Sequence, residues 1–300
     1  MDGDSITGIY CDVDDFCKAL EGYCKARLLP GGKAPKWFPA SRMSLSEVMT
    51  VILLFHLSGY RCFKWYYQRY VCARMGDYFP APVSYNRFVE LTRYALIPLS
   101  IYTQGFRLGK PTGVGFMDST ALKVCHNRRI YSHKVFKTCA ARGKTTTGWF
   151  YGFKLHLVIN DRGEICSFCL TPGNIDDRNF DVIDRLCREL SGKLFADRGY
   201  ISQKLFERLY RRGIRLITRL RKNMKNKLMD TGDKILLRKR AVIESVNDFL
   251  KNICQAEHTR HRSVHNFLVN LLGALSAYSF LPHKPSVYSR CDKRGLPIPA

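Results

Sequence analysis

The chain has 300 residues, 46% of them hydrophobic, so it can bury a substantial core, which argues against a disordered protein. Its 49 Lys and Arg residues against 25 Asp and Glu residues give a net charge of +24, more than solubility requires and typical of a protein with a polyanionic partner. Its apolar stretches 48–57 and 267–281 are too short to cross a bilayer, and the start MDGDS is unlike a signal peptide. We therefore expect a cytoplasmic protein with nucleic acid as its first candidate partner and no membrane partner.

The first hundred residues have apolar residues at helical spacing. The predicted helices cover 12–29, 45–58, 61–75 and 84–96. Asp12 is the expected cap of the first helix, and Ser44 with Glu47 forms a capping-box pattern before the second. The third is rich in aromatic and basic residues; packing is the favoured use of at least half of its rings, and stacking on DNA bases is the alternative. Residues 1–110 are thus predicted to form an all-helical region.

From Gly113 onward, short apolar runs and turns alternate with helical patterns, which predicts a mixed α/β domain over residues 111–281. The predicted strands cover 114–122, 149–160, 164–171, 193–198 and 214–220. The predicted helices cover 178–190, 202–212, a segment that begins at Glu244, and 262–281. Asn174, Asp176 or Asp177 is the expected cap of the helix at 178–190. The polar segment 222–238 is predicted to be a loop or small ribbon, and the tail 282–300 to be loosely ordered.

Three carboxylates stand out against this pattern. Asp118 and Asp197 each follow a short apolar run that is typical of a buried strand, and Glu244 lies on a helical pattern flanked by bases. Two hard cations about 4 Å apart can activate a hydroxyl and stabilise a leaving oxygen in phosphodiester chemistry. Because Mg²⁺ prefers carboxylate oxygens, two strand acids and one helix acid suit such a site.

The helix around Glu244 carries bases at informative offsets. Arg240 and Lys251 lie four residues before and seven residues after Glu244, so an α-helix would place all three on one stripe. The adjoining apolar stripe is Ile243, Val246, Leu250 and Ile253. In this arrangement the carboxylate would hold a cation while Arg and Lys hold DNA oxygens. An ordinary solvated helix with the same charge spacing is the alternative.

Each acid also has a structural alternative. Asp118 in the sequence DST could form a local turn or cap, and Asp197 could pair with Arg198. Burying an Asp directly after the apolar residues 194–196 would be costly without a cation, which favours the metal. Arg128 and Arg129, after the first strand, could contact phosphate or be solvated. The acids at 176, 177, 181 and 184 are expected to cap and solvate their helix.

With these residues in place, the chain resembles bacterial insertion-sequence transposases of the DDE type. Asp118, Asp197 and Glu244 match the acidic triad of that family, and Arg240, Glu244 and Lys251 match its signature helix, written Y, R, E, K. Leu237 stands where the signature has its tyrosine, so the tyrosine's role is not carried over. Three further segments support the resemblance: YGFKLHL at 151–157, TPGN at 171–174 and ADRGY at 196–200. The resemblance covers about residues 110–280.

The resemblance implies a ribonuclease H-like, retroviral-integrase-like catalytic core preceded by a helical DNA-binding region. Members of the family bind the terminal inverted repeats of their element as homo-oligomers, cut 3′ ends with water, and use the freed 3′ hydroxyl to attack target DNA. The implied cofactor is Mg²⁺ or Mn²⁺, with two ions per active site held by Asp118, Asp197 and Glu244. The candidate DNA-binding residues are Arg240, Lys251, Lys239, Arg198, Arg128 and Arg129. The resemblance also implies that the protein acts on DNA at the bacterial nucleoid.

Two other functions stay open on the sequence alone. A metal-dependent nuclease of the same fold would only hydrolyse DNA, and a decayed copy would bind DNA without catalysis. The segment 204–251 has fifteen Lys and Arg residues against five acids, which predicts that it runs along DNA. If about eight of these bases contact phosphates, the log–log dependence of affinity on salt should have a slope of about −7.

Overall fold

The computed structural model describes residues 3–27, 38–146, 148–219, 229–257, 261–288, 290–291 and 297–298. The backbone divides into two compact units. Among the described residues, the first unit comprises those up to 107 together with 250–257 and 261–281, and the second comprises those within 108–249 and those from 282 onward. The division after Arg107 lies close to the predicted boundary at 110. The last helix, however, belongs to the first unit and not to the predicted 111–281 domain.

The first unit is helical, as predicted. Its helices are α1 (Gly3–Ala26), α2 (Leu45–Leu57), α3 (Phe63–Tyr66), α4 (Cys72–Arg74), α5 (Tyr85–Thr92), α6 (Leu96–Phe106) and the last helix, Val264–Ser279. A π-helical turn, Tyr67–Val71, joins α3 to α4. Tyr66 and Tyr67 are buried, whereas Trp65 is exposed with the Arg69 guanidinium 5.5 Å from its ring centre. Packing is therefore the use of those two buried tyrosines.

The start of α2 is confirmed and the start of α1 is not. The Ser44 hydroxyl accepts from the Glu47 N–H at 3.1 Å, and the Glu47 carboxylate accepts from the Ser44 N–H at 2.6 Å. Both halves of the predicted capping box are thus present. Helix α1 begins at Gly3, so the prediction of Asp12 as a cap is wrong; Asp12 lies inside the helix and accepts from the Tyr102 hydroxyl.

The last helix joins the first unit because its apolar surface is buried by helices there. It packs against α2 and α6, and ten of its sixteen residues are buried. At Gly273 the approach to α2 is close: a Cβ would lie 2.7 Å from Ile52 Cγ2 and 2.9 Å from His56 Nε2. His56 itself is buried and donates from Nδ1 to the Cys254 carbonyl at 2.6 Å. The apolar run thus completes a helical core.

The second unit is built on a mixed sheet. Its strands are β1 (Val114–Cys125), β2 (Ala141–Thr145), β3 (Gly148–Asn160), β4 (Ile165–Pro172), β5 (Gly192–Ala196) and β6 (Ile214–Thr218). One edge of β3 pairs antiparallel with β1, and the other edge pairs with β2 and then with β4. On its far side β1 pairs parallel with β5, which pairs parallel with β6. The prediction of a mixed α/β unit is confirmed with five of these strands, and β2 is a sixth strand that was not predicted.

Helices cover the sheet. Helices α7 (Phe180–Leu186) and α8 (Gln203–Tyr210) bury apolar residues against a core that includes Met117 of β1, and α10 (Ala241–Asp248) packs against β1. The predicted caps of α7 are wrong, because Asn179 accepts from the backbone N–H groups of Asp181 and Val182.

The segment predicted as a loop at 222–238 contains helix α9 (Thr231–Arg238); its residues 222–228 lie outside the described part. The helix begins where Asp230 accepts from the Gly232 N–H at 3.0 Å. Asp233, fully buried, pairs with Lys193 at 2.6 Å and Arg215 at 3.5 Å. Ion pairs from this one buried carboxylate to two strands hold the polar helix, and alternation of apolar residues could not reveal them.

The tail is ordered at its start, contrary to prediction. Val287 is buried and its N–H donates to the Asp161 carbonyl at 3.0 Å, while the Tyr288 hydroxyl donates to the Asp161 carboxylate. Residues 290–291 pair with 297–298, and the remaining residues after 288 lie outside the described part. No described helix has the length and apolarity that crossing a membrane requires.

Candidate active site

The register between β1 and β5 brings two acids side by side. These parallel strands pair Val114 with Lys193 and continue in step to Met117 with Ala196. The residues that follow Met117 and Ala196 in the sequence are Asp118 and Asp197. Because neighbouring strands lie about 4.8 Å apart, this register places both acids at one point on the sheet.

Helix α10 supplies the third acid and two polar links. Arg240, the residue before α10, contacts Glu244 Oε1 at 2.8 Å and Asp197 Oδ1 at 3.8 Å through its Nη2. Asn247, one turn beyond Glu244, donates from Nδ2 to Asp118 Oδ2 at 3.1 Å. The structure therefore brings the three predicted acids together around one guanidinium and one amide.

The three carboxylates differ in environment. Burial raises the pKa of Asp118 to about 6; Glu244 and Asp197 add to the rise, and the Ser119 N–H and Arg240 oppose it. The Asp197 and Glu244 side chains are 54% and 59% exposed, and Arg240 only 15%. The argument that burial of Asp197 requires a cation does not apply, because Asp197 follows the end of β5 and faces solvent.

The three acids have the ligand chemistry that a hard divalent cation prefers, but their side chains are not spaced as metal ligands. All three offer the carboxylate oxygens that Mg²⁺ prefers. Among the described residues, however, no three Asp, Glu, His or Cys side chains are grouped closely enough to hold a metal ion. Arg240 accounts for this in part, since its guanidinium lies between Asp197 and Glu244 where a cation would otherwise balance their charge.

The other predicted DNA-binding residues are spread out. Arg128 and Arg129 lie in an exposed 3-10 turn after β1, and Arg198 is exposed without an ion pair to any described carboxylate. Lys239 donates to the Val287 carbonyl. Lys251 belongs to the helical unit and pairs with Glu257 at 3.3 Å.

The predicted stripe on the signature helix ends early. The α-helix stops at Asp248, and Phe249–Ile253 forms a π-helical turn, so α-helical offsets no longer apply to Lys251. Ile243, Val246 and Leu250 are buried as predicted, but Ile253 is exposed.

A second polar cluster, not predicted, lies beside the acids on the other face of β1. Asp177 Oδ1 accepts from Lys154 Nζ at 3.0 Å and from the Ser119 hydroxyl at 2.9 Å. His156 is fully buried, with Nε2 2.9 Å from the Thr171 hydroxyl and Nδ1 4.0 Å from Asp177. Burial lowers the pKa of His156 to about 4, against the pull of Asp177. The prediction that Asp177 caps and solvates a helix is therefore wrong.

These missed residues had weak sequence signals. Lys154 and His156 lie two residues apart within YGFKLHL, so strand alternation places them on one face, but only the sheet pairing brings Asp177 to them. Asn247 lies three residues after Glu244 and so on its side of the helix, a spacing that could have marked it.

Comparison with known proteins identifies the family. The model of the family described as "Transposase DDE domain" matches residues 108–264, which is more than half of the chain. The chain belongs to this family. The matched residues of this DDE transposase include Asp118, Asp197 and Glu244. No curated protein matches the sequence. A solved piggyBac transposase, from the "Cryo-EM structure of piggyBac transposase synaptic complex with hairpin DNA", aligns with a TM-score of 0.45 and 7% identity over 89% of this chain and 71% of that chain.

Proposed function

We propose that this DDE transposase belongs to a bacterial insertion sequence, binds the terminal inverted repeats of its element, and catalyses strand cleavage and strand transfer. It acts as a homo-oligomer on DNA, in the cytoplasm at the nucleoid. The observation that carries the proposal is the meeting of Asp118, Asp197 and Glu244 on two adjacent parallel strands and one helix.

We further propose that the catalytic unit has the ribonuclease H-like fold. Support comes from the strand order β4, β3, β1, β5, β6, in which the first two pairings are antiparallel and the last two parallel. Asp118 then lies in the central strand β1, Asp197 directly follows the neighbouring strand β5, and Glu244 lies on α10, which comes after β6 in the chain.

In this proposal Asp118, Asp197 and Glu244 would hold Mg²⁺ or Mn²⁺, two ions per site, and the ions would supply activation of the attacking hydroxyl and stabilisation of the leaving oxygen. The Arg240 guanidinium changes partner from the carboxylates to a DNA phosphate, since both are anionic oxygen acceptors. Asn247 keeps Asp118 oriented through its amide N–H. Arg198, Arg128, Arg129, Lys239 and Lys251 provide the further DNA contacts.

The decisive experiment replaces each acid by its amide. Asp118→Asn, Asp197→Asn and Glu244→Gln each remove a charge with little change in shape, and cleavage of labelled repeat ends should fall more than about 100-fold in each. Binding of the ends, measured by gel shift, should persist. Asp181→Asn and Glu189→Gln, which alter exposed acids outside the site, are the matched controls. Undiminished cleavage in any one of the three would remove that acid from the mechanism.

The same assay separates the alternatives. Joined products from wild-type protein support transposition, whereas nicks alone indicate a nuclease of the same fold. A wild-type protein that binds repeat ends but neither cuts them nor binds Mn²⁺ by calorimetry is a decayed copy.

A further inference from the structure

An arginine-lined cleft lies between α7 and α8, away from the three acids. It has a volume of about 480 Å³ and is lined by Asp184, Arg185, Arg188, Arg208, Arg211 and Arg212. Five guanidinium groups thus surround one carboxylate. The proposed function assigns no role to any of them.

Two of the arginines are fixed in place and three are free. Asp184 accepts from Arg208 and, at 3.0 Å, from Arg212, whose Nη2 also donates to the Cys187 carbonyl at 2.9 Å. Arg208 in addition lies over the Phe180 ring. By contrast, Arg185, Arg188 and Arg211 are exposed, and no carboxylate among the described residues pairs with them.

The cleft is on the opposite side of the sheet from Asp118. Met117 packs in the core under α7 and α8, and side chains alternate along a strand, so Asp118 points to the other face, where Asn247 of α10 contacts it. A phosphate bound in the cleft therefore belongs to a different stretch of nucleic acid from the phosphodiester at the acids.

We propose that this cleft is a second DNA-binding site, which holds the phosphate backbone of double-stranded DNA away from the bond that is cut. Guanidinium groups bind phosphate oxygens in a planar, two-pronged geometry, and a preformed wall with three unpaired arginines suits a polyanion. Glu207 on the same helix lies outside the lining, and its carboxylate accepts from Gln203. Strand transfer joins two DNA segments, so a second site serves it; this role rests on the proposed function.

The test measures binding of a short duplex of arbitrary sequence by fluorescence anisotropy, without divalent metal, over a range of salt. In the triple variant Arg185→Gln, Arg188→Gln, Arg211→Gln we expect the log–log salt slope to lose about 3 in magnitude, since each phosphate contact contributes about 0.9. The corresponding triple Lys variant keeps the charges and should keep the slope. The charge-matched control is Lys110→Gln, Lys123→Gln, Arg162→Gln, at exposed bases outside the cleft.

An unchanged slope in the triple Gln variant would overturn the proposal, as would an equal loss in the control or in the triple Lys variant. Poly-glutamate that binds wild-type protein but not the triple Gln variant, with DNA binding unaltered, would instead assign the cleft to an acidic protein. In the cleavage assay the triple Gln variant should cut repeat ends at the wild-type single-turnover rate and yield less joined product. If wild-type protein cuts nothing, the proposed function fails, while the binding comparison still decides the cleft.

Discussion

Arg240 links two of the three acids. Its side chain is mostly buried, and one guanidinium nitrogen contacts the carboxylates of Glu244 and Asp197. The positive charge of Arg240 thereby offsets part of their mutual repulsion. A cation and Arg240 would compete for the same negative charge.

Removal of that guanidinium should therefore tighten metal binding. In Arg240→Gln we expect the dissociation constant for Mn²⁺, measured by electron paramagnetic resonance without DNA, to fall about tenfold, because a unit charge a few Å away changes binding by about 1–2 kcal/mol in a half-exposed site. Arg238→Gln, at an exposed position of α9, is the control. Equal or weaker Mn²⁺ binding in Arg240→Gln would show that the two cations do not compete.

Asp118 should destabilise the fold at neutral pH. Its pKa is raised from 3.8 to about 6, so between these values the unfolded chain loses a proton that the folded chain keeps, and stability falls as pH rises through this window. Asp118→Asn removes the penalty. In metal-free protein we expect it to raise the free energy of unfolding by on the order of 2–3 kcal/mol at pH 8.

The comparison of urea denaturation at two pH values checks this. Below about pH 3 Asp118 is protonated in both the folded and the unfolded chain, so the difference between Asp118→Asn and wild type should vanish. Asp181→Asn, at an exposed position, should show no such pH-dependent gain. A variant that is no more stable than wild type at pH 8 would mean that Asp118 ionises at its ordinary pKa in the folded protein.

Among the elements, those defined by local signals were predictable and those defined by tertiary contacts were not. The capping box before α2 needs only residues three apart, and the strands around the acids show as apolar runs. Helix α9 depends on Asp233 reaching two strands, and the π-helical turn after Asp248 interrupts an otherwise regular pattern. The three acids could be singled out from the sequence as candidates, but their proximity depends on the β1–β5 register, which no local pattern encodes.

Loss of the capping box should weaken the helical unit. Ser44→Ala removes the acceptor for the Glu47 N–H at the start of α2, whose following residues are nearly all buried, and we expect a loss of about 1 kcal/mol in the free energy of unfolding. Glu47→Gln keeps an acceptor for the Ser44 N–H and should cost much less. Equal urea midpoints for Ser44→Ala and wild type would show that the cap contributes nothing to stability.

For the whole molecule, the sequence predicts the net charge well, but it does not predict where the basic side chains lie on the surface. The net charge of +24 indicated nucleic acid at once. Its distribution required coordinates: Lys251 pairs with Glu257 and Lys239 with a carbonyl, whereas Arg185, Arg188 and Arg211, which carried no motif, line an open cleft. Binding energy from such dispersed bases is electrostatic and depends on salt.

That dependence gives a prediction for the intact chain. With about eight phosphate contacts, the affinity of Asp118→Asn for a repeat-end duplex should fall with a log–log salt slope of about −7, because each contact releases condensed counterions. Asp118→Asn prevents turnover in the proposed mechanism, so binding is measured alone. A slope shallower than about −3 would mean that few of the excess bases reach phosphates, and that the positive charge serves a partner other than DNA. If the cleft between α7 and α8 holds DNA, its three free arginines contribute about 3 to the magnitude of this slope.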